Sequence, residues 1–401
     1  MIIKIHRGQN QIGGSIIEIA SERAKIILDT GVELDEMDDP QVPQIDGLFV
    51  GDPQYNAVFL SHYHADHIGL ADKIVPEIPI YMGEKAFEII SASNEYRKID
   101  TKFSQNFLRN VEPITVGDMK ITPYSCDHSA FDSYMLLIEC DGKTALYTGD
   151  FRANGRGEFE ELLKQLPKVD AVIIEGTTLS REYTKRNIEE EKLEEIGVDF
   201  LAKHNGPAFI YCASTNVDRL ITAHNIAKRT GRIFLEDIYT ARIAARSGVA
   251  EIAPKRGETY VFQTDGSDRQ HAFLQEFNSA KIGKESIAKK NFLMTVRPSM
   301  KNYIKKLNEL RSFDDGVLFY ALWSGYKEQP ATAEFLEFME QKGVKLHTLH
   351  TSGHADSQSI EELISKISPG IIVPVHTENA DYYNKFSGDC RIVLDTDIIE
   401  V

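Results

Sequence analysis

The stretch FLSHYHADHIG, residues 59–69, determines how the rest of this sequence is interpreted. It contains the end of the apolar run NAVFL, which predicts a short buried strand followed by a tight loop. Three histidines and one aspartate fall within six positions of that loop: His62, His64, Asp66 and His67. A single loop histidine usually has a structural role, but imidazoles and a carboxylate at this density indicate ligands for divalent metal ions. We therefore predict a metal centre at the end of this strand.

Four further acidic or imidazole side chains end β-type runs elsewhere in the chain. They are Asp29 in IILDTG, His128 in SCDHSAFDS, Asp150 in LYTGDF and His376 in IIVPVHTE. Taken singly, each is also typical of a turn or of a loop hydrogen bond. In a sandwich of two sheets, however, such strand ends would meet at one rim. We therefore expect the four side chains to join the histidine loop.

Composition limits the partners and the location that we expect. The 401 residues include 45 basic and 61 acidic side chains, a formal charge of −16, which opposes non-specific attraction to a polyanion. Binding of nucleic acid would therefore depend on metal ions and on a local group of lysines and arginines. The four cysteines form no C-x-x-C pair, and the first twenty residues lack the apolar run of a signal peptide. We expect a cytoplasmic protein that does not interact with a membrane.

The spacing of the apolar runs changes twice along the chain. Residues 1–180 carry short β-type runs, and residues 181–343 alternate strands such as PAFIYC and GRIFLED with helical segments. That alternation predicts a mostly parallel sheet flanked by helices. Residues 344–401 return to β-type runs around one helix and are too short to fold alone. We expect them to close the domain that residues 1–180 begin, with residues 181–343 inserted.

The sequence resembles the metallo-β-lactamase superfamily, whose motif H-x-H-x-D-H is matched at every position by residues 62–67. The resemblance implies an α/β fold, an αββα sandwich, with two divalent metal ions. Zinc is the ion that we expect, and manganese or iron would suit the same ligand types. The implied ligands are His62, His64 and His128 for one ion, Asp66, His67 and His376 for the other, and Asp150 as a bridge. Asp29 would orient the histidine loop from behind the ligands.

Three later motifs are similar to motifs A, B and C of the β-CASP nucleases. They are Glu175 in VIIEGTT, His354 in HTSGHAD and His376 in PVHTE. The resemblance implies that residues 181–343 form the inserted β-CASP domain, an α/β domain with a mostly parallel sheet. A histidine at motif C is a feature of the RNA-processing members of the group. His376 therefore points to RNA as the substrate.

The stretch HTSGHA is particularly like ribonuclease J, in which a turn of small residues binds phosphate through backbone amides. A glycine in that turn lets the backbone approach an anion closely. The residues that this likeness assigns to phosphate binding are His350, Ser352, Gly353, His354 and Ala355.

The catalytic residues that the resemblance implies are Asp66, His354 and Glu175. His354 would protonate the leaving oxygen, and Glu175 would hold the His354 imidazole. Residues 322–330, LWSGYKEQP, depart from the usual phosphate-pocket sequence of ribonuclease J.

The predicted reaction is hydrolysis of an RNA phosphodiester by a water molecule that two metal ions activate. A homodimer is one assembly of the chain to test. Hydrolysis of a lactone or thioester would use the same metals, but a small substrate does not require an inserted domain. A DNA nuclease is a further alternative. A catalytically silent RNA-binding or scaffold subunit is another, although such relatives typically lose metal ligands and this sequence retains them all.

Overall fold

The computed structural model describes residues 1–36, 39–101, 103, 105–180, 186–394 and 398–401. Within these ranges the chain divides into two compact units. The first unit comprises Met1–Asn94, Lys98–Asn187 and Gly353–Val401, and the second comprises Glu95–Arg97 and Ile188–Ser352. Arg181, where we predict the inserted domain to begin, lies outside the described residues. The bounds 181 and 343 of that domain therefore stay a prediction.

The described residues form strands and α-helices along the whole chain. The strands are β1 Ile2–Arg7, β2 Ile16–Ala20, β3 Lys25–Leu28, β4 Ala57–Phe59, β5 Ile80–Gly83, β6 Gln105–Leu108, β7 Ile114–Val116, β8 Met119–Cys126, β9 Ser133–Cys140, β10 Lys143–Tyr147, β11 Ala171–Ile174, β12 Ala208–Tyr211, β13 Ile233–Asp237, β14 Thr259–Phe262, β15 Phe292–Thr295, β16 Val317–Tyr320, β17 Lys345–Thr348, β18 Ile371–Pro374, β19 Arg391–Ile392 and β20 Ile398–Glu400. The α-helices are α1 Ala65–Ile68, α2 Glu84–Arg97, α3 Phe159–Gln165, α4 Glu190–Leu201, α5 Val217–Arg229, α6 Ile238–Ser247, α7 Asp268–Leu274, α8 Lys284–Ile287, α9 Lys301–Leu310, α10 Pro330–Glu340 and α11 Ser357–Ile367. None of the helices in the described ranges combines the length and the apolar character that a membrane span requires.

The first unit is built on two mixed sheets. Within the described residues, their strand orders are β20-β1-β2-β3-β4-β5-β6 and β19-β18-β11-β10-β9-β8-β7. In the first sheet β3, β4, β5 and β6 are parallel, and in the second β10, β11, β18 and β19 are parallel. Because the carboxyl ends of parallel strands meet at one edge of a sheet, residues that follow these strands are brought together.

Strand β9 shows why the sheets form two hydrophobic layers. Successive side chains of a strand point to opposite faces, so alternate residues enter different cores. Leu136 and Ile138 pack in the core between the sheets, with residues of β1, β2 and β3. Met135 and Leu137 pack on the other face, in a core that also contains buried residues of α3 and α11. The arrangement confirms the predicted αββα fold class.

The second unit is built on one sheet of order β14-β13-β15-β12-β16-β17, in which every described pairing is parallel. This confirms the mostly parallel sheet that the alternating segment predicts. Phe209 is fully buried in it and packs edge-on against Phe292 and Phe313. Strand β17 pairs with β16, although we assigned its residues to the closing segment. Hydropathy does not reveal which sheet an additional strand will join, because the apolar pattern is the same in both.

Close packing around Gly31 fixes the position of the histidine loop. The amides of Thr30 and Val32 donate to the carbonyls of His67 and Ala65, at 2.7 and 3.0 Å. Gly31 lies between these bonds, where a Cβ atom would come within 1.7 Å of the Asp66 carbonyl oxygen. The segment that follows β3 therefore needs glycine to approach the loop.

We predict that Gly31→Ala lowers the free energy of unfolding by about 3 kcal/mol, because the added methyl group meets backbone that cannot move aside cheaply. The matched control is Gly388→Ala, at an exposed glycine where a Cβ meets nothing within 4 Å. Urea unfolding measures both variants. Equal stabilities for the two would contradict the packing that we describe.

Candidate metal centre

The histidine loop is a single helical turn attached to a buried strand. Strand β4 ends at Phe59, and α1 begins at Ala65 with His64 as its extended N-cap residue. His62 and His67 are buried, whereas His64 is half-buried. The turn therefore directs two imidazoles into the protein and leaves the third at its boundary.

The structure brings one predicted ligand group together in full. One ligand atom from each of His62, His64, His128 and Asp150 lies within 4.8 Å of the others. His128 Nε2 is 3.0 Å from His64 Nδ1, and His62 Nε2 is 3.7 Å from Asp150 Oδ2. Nitrogen and carboxylate ligands at this spacing suit one small divalent cation.

The second predicted group also converges, and Asp150 lies beside both groups. Asp66, His67 and His376 place one ligand atom each within 4.8 Å of one another. His376 Nε2 is 3.1 Å from Asp66 Oδ2, and His67 Nε2 is 3.2 Å from Asp150 Oδ2. The position of Asp150 fits the bridging role that the sequence resemblance implies.

Buried atoms without hydrogen-bond partners test whether these residues fit a metal. Among the described residues, these atoms include His62 Nε2, His67 Nε2, Asp150 Oδ1 and Asp150 Oδ2. Leaving a buried polar atom unpaired costs about 1–3 kcal/mol, so four of them in one cluster call for a ligand. The carboxylate oxygens carry lone pairs for a cation, and each imidazole Nε2 carries one once it has lost its proton. The donor set therefore fits divalent metal ions.

The protonation of the first group also suits metal binding. Burial lowers the pKa of His64 to about 4. Burial, reinforced by repulsion from neighbouring imidazoles, lowers the pKa of His62 and His128 well below the usual histidine value. These three side chains are therefore neutral near pH 7 and can offer lone pairs without first losing a proton.

The Asp29 carboxylate lies behind the histidine loop and contacts partners that the sequence did not reveal. His67 Nδ1 donates to Asp29 Oδ2 at 2.7 Å. The Ser61 amide and hydroxyl each donate to Asp29 at 2.7 Å, and the Tyr147 hydroxyl donates at 2.5 Å. Because Nδ1 of His67 is the donor, Nε2 is left as the ligand atom. Burial lowers the pKa of His67, but Asp150 and Asp29 outweigh it and raise that pKa well above its usual value.

His62 and His376 are oriented in the same way by hydroxyl groups. His62 Nδ1 lies 3.0 Å from Ser61 Oγ, whose own proton is directed to Asp29. His376 Nδ1 lies 2.8 Å from Thr177 Oγ1, which donates to the His376 carbonyl at 3.3 Å. Each imidazole therefore donates through Nδ1 and presents Nε2. Ser61 and Thr177 stand beside motif residues, and that position is the only sign of their role in the sequence.

Glu175 and His354 form a third group that shares Asp150 with the metal ligands. His354 Nδ1 is 3.2 Å from Glu175 Oε2 and 3.5 Å from Asp150 Oδ2. Glu175 is buried and accepts the Phe151 amide at 2.9 Å. The His354 carbonyl accepts the Asn187 side-chain amide at 3.1 Å. Glu175 thus holds the imidazole at Nδ1, and the side chain of His354 retains 20% exposure.

The predicted phosphate-binding residues divide between the two units. Gly353, His354 and Ala355 belong to the first unit, and His350 and Ser352 belong to the second. A Cβ on Gly353 would come within 2.4 Å of Ser129 Oγ, so close packing already requires glycine there. The Ala355 amide points to Glu175 Oε1 at 3.5 Å. Phosphate binding by this turn therefore stays a prediction.

Comparisons with known proteins agree with this fold. Residues 25–224 match the model of the beta-lactamase superfamily domain, and residues 343–384 match that of the Zn-dependent metallo-hydrolase RNA specificity domain. A crystal structure of a protein of unknown function from Enterococcus faecalis V583 superimposes with a TM-score of 0.83 at 21% identity. The match covers 100% of this chain and 99% of that one, so the two share a fold over their whole length.

Two relatives carry functional names. An RNase J-like protein of Methanocaldococcus jannaschii is 25% identical over 220 residues, which cover 49% of this chain and 48% of that protein. Ribonuclease J 2 of Staphylococcus aureus is 21% identical over 385 residues, 90% of this chain and 66% of that protein. The chain thus spans between about half and two thirds of the length of these relatives.

The histidine loop, the two-sheet sandwich and these matches lead to one class: the chain belongs to the metallo-β-lactamase superfamily. Its second unit is the insertion typical of the β-CASP group. Within that group, the proteins that it resembles are those of the ribonuclease J type.

We predict that the purified protein binds up to two divalent ions per chain, and that His64→Ala with Asp150→Ala abolishes this binding. Asp150 lies beside both ligand groups, so its loss weakens both. Elemental analysis after dialysis against zinc measures the content. His271→Ala, at an exposed histidine of the second unit, is the control and should retain the wild-type content. Full occupancy in the double variant would disprove the ligand assignment.

Proposed function

We propose that this chain is a metal-dependent phosphodiesterase that hydrolyses RNA. The proposal depends chiefly on one observation: a partly exposed imidazole, His354, stands beside a buried metal-ligand cluster and shares Asp150 with it. Metal ligands alone would suit many hydrolases of this fold. A separate imidazole held by its own carboxylate indicates a proton donor for a leaving group, such as the ribose oxygen of a phosphodiester.

Zinc ions, or manganese or iron ions in their place, would lower the pKa of a water molecule and offset negative charge on the phosphate. We assign one ion to His62, His64 and His128, the other to Asp66, His67 and His376, and Asp150 to both. The remaining chemistry belongs to the protein's own side chains. Glu175 fixes Nδ1 of His354, so Nε2 is the atom that we expect to pass a proton to the leaving oxygen. In this scheme Asp66 contributes to catalysis as a metal ligand.

RNA is the substrate that the similarities favour. Residues 343–384 match a model described as an RNA specificity domain, and the named relatives are ribonucleases or resemble them. The formal charge of −16 makes non-specific attraction to RNA weak, so the backbone must be recognised locally. We keep His350, Ser352, Gly353, His354 and Ala355 as candidates for that contact. A cytoplasmic location and a homodimer belong to the same proposal.

Substitution of His354 separates metal binding from proton transfer. We expect His354→Ala to keep its fold and both metals, yet to lose about 10²- to 10⁴-fold in RNA hydrolysis, the usual contribution of general acid catalysis. Glu175→Gln should lower the rate in the same direction by loosening the imidazole. Rates on a labelled RNA and metal content are measured on the same samples.

A substrate with a good leaving group provides the control for this prediction. A nitrophenyl phosphodiester needs no proton on its leaving oxygen, so His354→Ala should reduce its hydrolysis much less than that of RNA. Equal losses on the two substrates would show that His354 has a structural role. Loss of a metal from the variant would instead identify it as a ligand.

A panel of substrates distinguishes the alternative functions. We expect cleavage of RNA in preference to single-stranded DNA of the same sequence, and negligible turnover of a lactone or a thioester. Products from RNAs with 5′-monophosphate, 5′-triphosphate or 5′-hydroxyl ends, resolved on gels, would also give the direction of attack. Preferential hydrolysis of the lactone or thioester would favour a small-molecule hydrolase and contradict the proposal.

A further inference from the structure

One cavity of the chain lies wholly within the second unit. Its volume is about 510 Å³, within the usual range for small-molecule sites. One wall is the loop that follows β14, from Gln263 to Gly266, and another is the segment Lys281–Glu285. The cavity thus opens beyond the carboxyl end of an outer strand of a parallel sheet.

Tyr303 supplies an unused hydrogen-bonding group in the wall of this cavity. Tyr303 is 4% exposed, and among the described residues its buried hydroxyl has no hydrogen-bond partner. The ring stacks on Phe262, the last residue of β14, with ring centroids 4.9 Å apart. This stacking favours the present orientation of the ring. Buried tyrosine hydroxyls normally have a partner, so this one calls for a group that the cavity would receive.

The loop after β14 is held rigid by one buried glutamine. Gln270 Oε1 accepts the amides of Thr264 and Asp265, at 3.0 and 3.3 Å. Its side-chain amide donates to Thr264 Oγ1 at 2.9 Å and to Asp265 Oδ2 at 3.0 Å. The wall is therefore shaped before any ligand arrives, which lowers the entropy lost on binding.

Charge and polarity define the ligand. Lys281, Lys284 and Lys306 line the cavity together with the acidic residues Asp265 and Glu285. The Asp265 carboxylate is already engaged, since it also accepts the Ser267 amide at 2.8 Å. The three lysines outnumber the two acidic residues of the lining, which is unusual in a chain of formal charge −16 and favours an anionic ligand.

An apolar surface faces part of the same space. Leu274 and Ile282 line the cavity, and so does the exposed ring of His271. A bare phosphate would use only the lysines and would leave this surface uncovered. A ligand with both an anionic group and a planar apolar group would cover it.

We propose that this cavity binds a phosphate-bearing ligand of mononucleotide size, with the phosphate at the lysines and the base against the Leu274 and Ile282 side. The Tyr303 hydroxyl would bond to the polar part of the ligand. The site is distinct from the metal centre and does not depend on the proposed hydrolysis of RNA.

Calorimetric titration of the full chain with adenosine 5′-monophosphate tests the proposal, with inorganic phosphate and adenosine as separate probes. We expect the nucleotide to bind more tightly than either fragment. Lys284→Ala with Lys306→Ala should weaken its binding by about tenfold or more, because charge-assisted hydrogen bonds to the phosphate are lost. Lys305→Ala, at the neighbouring exposed residue of α9 outside the cavity lining, is the matched control and should leave binding unchanged.

Tyr303→Phe keeps the test valid if the lysine variants unfold. Removing an unpartnered hydroxyl should not lower the thermal midpoint of the ligand-free protein, but it should weaken nucleotide binding severalfold. Identical affinities in wild type, the double lysine variant and Tyr303→Phe would overturn the proposal, and so would absence of nucleotide binding. Binding of a 5′-phosphorylated RNA oligonucleotide, but not of the mononucleotide, with the same dependence on lysine would also overturn it.

Discussion

The candidate site depends on the hydrogen bonds that the fully buried carboxylate of Asp29 accepts. The carboxylate receives the Ser61 amide and hydroxyl, His67 Nδ1 and the Tyr147 hydroxyl. Ser61 and His67 belong to the histidine loop, and Tyr147 ends β10 of the opposite sheet. One side chain therefore links the loop to both layers of the sandwich. Asp29 adopts a φ of 58°, a conformation that aspartate tolerates better than most residues and that turns the chain sharply after β3.

This arrangement is energetically costly because it buries a charged side chain among the predicted ligands. Asp150 is almost fully buried, and neither of its oxygens has a hydrogen-bond partner among the described residues. Burial raises the pKa of Asp150, but the neighbouring His376 and His67 outweigh it and keep that pKa well below its usual value. The carboxylate thus stays charged in a dry site, where such a charge must be paired or bound to a metal.

The sequence suffices to select the residues that the structure gathers around Asp150, because the signal is local. Residues 62–67 lie in one loop, and the remaining ligands follow strands, so edge geometry gathers them without knowledge of the exact packing. The supporting hydroxyls could not be predicted in this way. Tyr147 is 118 positions from Asp29, and Thr177 is 199 positions from His376, and neither residue type stands out in a hydropathy pattern. Gly353 illustrates a different limit, since the sequence suggests an approach to phosphate, whereas packing against Ser129 already requires glycine at that position.

The direct measurement of the central claim is anomalous diffraction at the zinc edge from crystals of the zinc-loaded protein. Two peaks are expected, each about 2.0–2.2 Å from its nitrogen and oxygen ligands, one at His62, His64 and His128 and the other at Asp66, His67 and His376. Asp150 should lie between them and reach both. A peak bound by Glu175 and His354 would contradict the account, because His354 would then be a ligand and not a proton donor. A single peak that does not touch Asp150 would contradict it as well.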